Sequence, residues 1–66
     1  MEVIKFNKKI YSLEAVENAI EEYKHLAEFE IKELNDYIEV KIDKIDPEVK
    51  NVLKDEFSNY VLGLMS

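Results

Sequence analysis

The one histidine of this 66-residue chain, His25, stands four residues after Glu21. On a helix that spacing puts an imidazole and a carboxylate on the same face, within reach of a shared ion. A metal site wants three or four ligands, and no second histidine and no cysteine exists to complete one. Glu14, Glu17, Glu21 and Glu22 make an acidic strip on the same segment. Paired carboxylates do acid–base work only where a cleft perturbs their pKa values. A helix at the surface of so short a chain offers no such cleft, so the strip reads as a solvated face, with a basic partner surface as the other option. The serines are Ser12, Ser58 and Ser66. Ser12 is placed to cap a helix, Ser66 is terminal, and Ser58 falls on the outer side of the second helix. None has an evident base, as nucleophilic catalysis requires.

Gly63 is the only glycine, which excludes the glycine-rich phosphate cradles. The formal net charge is -6, and all nine basic residues are lysine. Nucleic-acid partners normally demand a basic stripe, and anionic membrane surfaces a basic cluster; neither is present. The composition also lacks Arg, Gln, Thr and Trp, which suits either AT-rich coding or a thermophilic source. The longest apolar run, Tyr60 to Met65, is far short of a membrane span. Met1-Glu2-Val3 enters a strand-like pattern directly, without a basic segment and apolar stretch before it. No secretory signal is expected and the cytoplasm is the default location. No cofactor is called for.

The elements that must position these residues follow from periodicity. Glu2 to Asn7 alternates as a first strand, with Ile4 and Phe6 on one face and Val3 and Lys5 on the other. Ser12 is a helix N-cap and Tyr11 stands where a hydrophobic staple would. Leu13, Val16, Ala19, Ile20 and Tyr23 recur at helical spacing, predicting a helix from Leu13 to about His25. Phe29 and Ile31 alternate with Glu28, Glu30 and Lys32. After a turn at Leu34-Asn35-Asp36, Ile38, Val40 and Ile42 alternate with Glu39, Lys41 and Asp43. Mixed Glu and Lys on the outward face predict cross-strand ion pairs rather than a docking surface. Asp46-Pro47-Glu48 has the signature of a second helix start, with Val49, Leu53, Phe57, Tyr60, Val61 and Leu64 inward and Gly63 as its terminator.

Residues 1–66 thus form one α+β domain in the order β-α-β-β-α, with two helices on one face of a three-stranded sheet. With the third strand central the sheet is antiparallel in the order 1-3-2, the arrangement preferred here; with the second central, one pair is parallel. Lys5 and Lys32 would blunt the edge strands against aggregation. Apolar residues are left over on the second helix. Leu62 and Met65 lie off its inward stripe and Val52 sits at the margin. These three are candidate interface residues.

Ile10-Tyr11-Ser12-Leu13-Glu14-Ala15-Val16, followed by Ala19 and Tyr23, resembles the opening of HxsD-like proteins. Tyr37 to Ile42 and Glu56 to Leu62 match the same pattern, so the resemblance covers nearly the whole chain. It rests on short, mostly structural motifs, with Tyr11, Ser12, Phe57 and Asn59 as matching positions. Capping accounts for Ser12 and the core for Phe57, so the resemblance adds Asn59 to the candidate interface of Val52, Leu62 and Met65. After Leu62 the pattern leads into a basic tail, which this chain lacks. The family belongs to His-Xaa-Ser systems, encoded beside radical-SAM proteins and a repeat-containing peptide that is their presumed substrate. The resemblance implies a small accessory component of peptide modification rather than the catalyst. The expected function is a non-enzymatic protein-interaction module, binding another protein or peptide or a second copy as a homodimer. The alternative is a small metal-binding or catalytic protein using the Glu21/His25 face.

Overall fold

A computed structural model describes residues 1–65; Ser66, read above as a terminal serine, lies outside the described residues. The chain runs β1 (Glu2–Asn7), α1 (Leu13–Tyr23), β2 (Glu28–Glu33), β3 (Tyr37–Asp43) and α2 (Leu53–Leu64). The sheet order is β1-β3-β2 and both pairs are antiparallel. The preferred arrangement is therefore the one present. β3 owes its central place to its sequence: Ile38, Val40 and Ile42 are fully buried, while the edge strands carry fewer apolar positions.

Register explains the two faces. Ile4 lies opposite Val40 and Phe6 opposite Ile38, while Phe29 and Ile31 meet Ile42 and Val40 from the other side. These side chains form one cluster with Ala15, Val16 and Ala19 of α1 and Leu53, Phe57 and Val61 of α2. Both helices therefore cover one face of the sheet. Phe57 is the hub, with ring centroids 5.0 Å from Phe29, 5.8 Å from Tyr23 and 6.2 Å from Phe6. Aromatic rings at such distances add to the stabilisation that burial itself supplies. One polar atom is misplaced in this layer: Glu2 Oε1, on the covered face opposite Ile42, is buried with no hydrogen-bond partner.

Ser12 caps α1 as its type dictates. Its backbone is extended (φ -89°, ψ 149°) and its Oγ accepts from Ala15 N at 3.1 Å. Tyr11 packs edge-on against Phe6 at 5.0 Å and joins the rim of the core, fixing the direction from which the chain approaches the helix. The helix ends at Tyr23 with Lys24 as C-cap, two residues short of His25.

The second helix departs from expectation at both ends. Asp46-Pro47-Glu48 does start helical turning: Asp46 Oδ1 accepts from Glu48 N at 2.9 Å and Asp46 O from Val49 N at 3.0 Å. Yet Pro47 to Val52 forms only successive turns, and α2 begins at Leu53. Leu53 is the first fully buried residue of this segment, so the regular helix starts where burial starts. Gly63 is not a terminator. It lies within α2 at an ordinary negative φ, and Met65 caps the helix in a right-handed conformation.

Candidate functional site

The exposed side of α2 carries the apolar surplus. Val52 is 47% exposed, Leu62 50% and Met65 38%, and Asn59 is exposed as well. The four do not make one patch. Val52 precedes the first turn, and at 1.5 Å per residue it stands about 15 Å along the axis from Leu62. Asn59 and Leu62, three residues apart, share a side of the helix. Met65 turns toward α1, where its sulfur lies 3.6 Å from Ser12 Oγ.

Met65 belongs to a groove of about 300 Å³ formed with Ser12, Glu14, Ala15, Asn18 and Leu64. The last turn of α2 thus meets the first turn of α1, so the two helices run antiparallel. Leu64 and Tyr60 correct the inward stripe predicted for this helix: they are 43% and 36% exposed. The buried run Leu53, Phe57, Val61 is complete one turn before the helix ends, and the apolar side chains of the turn that follows are partly exposed. Only the packing of α1 against α2 reveals this groove, because its walls are some fifty residues apart in the chain.

At the other end of the helix pair, Tyr23 contacts Tyr60 with centroids 5.5 Å apart. Burial, then the Glu56 carboxylate, Tyr60 and Glu22, holds the Tyr23 hydroxyl above its ordinary value of 10.0. The apolar ridge of α2 is therefore flanked by acids from both helices, Glu14 and Glu22 on α1 and Glu56 on α2.

The Glu21/His25 pair does not assemble. Glu21 Oε2 is 2.7 Å from Lys24 Nζ, and His25 sits in the turn beyond the helix end, where the expected four-residue helical spacing no longer operates. Among the described residues there is no group of three or more His, Cys, Asp or Glu placed to hold a metal ion. Ser12 is occupied by Ala15 N, and Ser58 is half-buried rather than on the outer side.

A second, larger hollow of about 430 Å³ lies where the β1–α1 loop meets the hairpin turn, lined by Asn7, Lys8, Lys9, Asn35, Asp36 and Tyr37. Its polar groups serve the fold. Lys8 N donates to Asp36 O, and Lys8 Nζ reaches Leu34 O at 3.1 Å and Glu33 at 2.7 Å. Asn7 Oδ1 accepts from Lys9 N. These bonds tie the end of β1 to the hairpin and leave a wide, shallow surface without convergent chemistry.

Comparison of the chain with family models, with curated proteins and with solved structures finds no match. No helix is long and apolar enough to cross a membrane among the described residues.

Proposed function

We propose that this chain is a non-enzymatic interaction or accessory module of the cytoplasm that docks another protein or peptide at the C-terminal end of α2. The observation carrying this reading is the exposure of Leu64 and Met65 in the α1–α2 groove, with Leu62 exposed on the same last turn of α2. Exposed apolar area concentrated in one place marks an interaction surface more often than the same residues scattered singly. The resemblance of Ile10–Val16, Tyr37–Ile42 and Glu56–Leu62 to HxsD-like proteins supports a partner within a peptide-modifying system. Nucleic acid and anionic membrane are not its partners on this reading, given the net charge of -6 and the absence of arginine.

The test is affinity capture with the full chain and with a Leu62→Ser/Met65→Ser variant. Both side chains are exposed, so the variant should melt within a few degrees of the parent. The expected result is a protein retained by the parent and lost by the variant. Equal retention by both would place the docking surface elsewhere.

A further inference from the structure

The two edges of the sheet differ in charge. On the open face β1 presents Val3, Lys5 and Asn7, whereas β2 presents Glu28, Glu30 and Lys32. Both strands are hydrogen-bonded to β3 alone, so each offers the amides and carbonyls of its outer side to another strand. Lys5 and Lys32 were both read above as blunting devices. Register separates them.

When an edge strand pairs antiparallel with its own copy, residues directly opposite one another point to the same face of the sheet. The two-fold axis must then pass through a residue. Centred on Glu30, β2 would set Glu30 against Glu30 between two Glu28–Lys32 pairs; centred on Lys32, Lys32 against Lys32; centred on Phe29, Glu28 against Glu30. Centred on Ile31, it sets Glu30 against Lys32 of the second copy and Lys32 against its Glu30, with Ile31 against Ile31 on the covered face and Phe29 against Glu33 on either side of it. Only this register pairs opposite charges on the open face without also setting like charges against each other. The match extends inward through the observed register. Lys41 flanks Glu30 and Glu39 flanks Lys32, so signs alternate along each row from one sheet into the next. Phe29 and Ile31, half-buried at this edge, would gain cover. β1 carries a single charge on its open face, Lys5, so none of its registers can pair opposite charges.

We propose that β2 is a self-complementary edge and that two copies of this chain join there, in the register centred on Ile31, to form a six-stranded sheet. The claim is independent of the α2 docking surface and uses none of its residues.

The chain has no cysteine, so introduced thiols report cleanly. In this register Glu30 and Lys32 of opposite copies form a non-hydrogen-bonded pair with Cβ atoms about 4.5 Å apart, within reach of a disulfide. An equimolar mixture of E30C and K32C chains should form cross-linked dimer several-fold faster than either variant alone. Sedimentation equilibrium of the unmodified chain should show a concentration-dependent dimer. Lys32→Gln, an exposed substitution, should raise its dissociation constant about fivefold, the scale of two exposed cross-strand pairs. Three results would overturn the proposal: a monomer at millimolar concentration, mixed cross-linking no faster than the single variants, or a dimer abolished by Leu62→Ser/Met65→Ser.

Discussion

The first amides of the two helices are satisfied in different ways. At α1 a side chain does it: Ser12 Oγ accepts from Ala15 N while Tyr11 anchors the preceding residue on Phe6. At α2 no side chain does: Val52 makes no capping bond, and the segment arrives through turns in which Val49 O accepts from both Val52 N and Leu53 N. The first helix is thus specified locally, whereas the second is held by what Leu53, Phe57 and Val61 bury. A capping signal predicts a boundary well when the buried stripe starts within a turn of it, as at Ser12. It misplaces the boundary when several residues of loop must first bring the chain over the sheet, as between Asp46 and Leu53.

The strongest way to break this contrast is Phe57→Ala. Removing a fully buried aromatic side chain costs about 3–5 kcal/mol. A domain of this length has roughly 3–10 kcal/mol in all. Denaturant melts should therefore find the variant largely unfolded or its midpoint severely lowered; a shift of a degree or two would mean α2 is not held by its core.

Ser12→Ala tests the other side of the contrast at a smaller scale. Loss of the cap should cost about 1 kcal/mol, a fall of about 4–8 °C in Tm for a domain this small. Asp46→Ala, which removes the equivalent-looking bond to Glu48 N, should cost less than half of that. The Asp46 bond closes an exposed turn rather than a helix end. Equal costs by calorimetry would erase the distinction between the starts of α1 and α2.

The smallest effect concerns the contact that joins the helices. Tyr23 has its pKa raised by burial first and by Glu56 next, whereas in the unfolded chain it titrates near 10.0. The sign follows from linkage. Below pH 10 both states keep the proton and Tyr23 adds no pH dependence; above it the unfolded state ionises first, and stability falls until the folded-state pKa is passed. Tyr23→Phe should leave the neutral-pH midpoint nearly unchanged and make the loss of stability above about pH 10 shallower than in the parent. Parallel slopes would show that Tyr23 is solvated.

Much of this architecture was legible in residue types. The alternation of Ile4 and Phe6, of Phe29 and Ile31, and of Ile38, Val40 and Ile42 identified three strands and their inner faces. The sequence left two sheet orders open, with the fully antiparallel 1-3-2 preferred, and that is the order present. The acidic strip on α1 does face outward. Less legible were the features that depend on where an element runs out of neighbours. Tyr60 and Leu64 have inward spacing but stay partly exposed, and Gly63 has terminator chemistry inside a helix that continues to Leu64. The Glu21/His25 spacing implied a shared face that vanished when the helix stopped at Tyr23.

The sequence by itself determined the element order, the faces and the inventory of chemistry: one histidine, no cysteine, no glycine-rich loop and an acidic balance. These are local or compositional properties, readable from periods of two and 3.6 residues and from side-chain donors and acceptors. The tertiary structure decided which residues lie opposite one another across strands, where α2 begins, and which of its apolar residues remain exposed. Those outcomes depend on burial against segments distant in the chain. That Glu39 stands between Lys5 and Lys32 could be seen only once β3 stood between the other two strands.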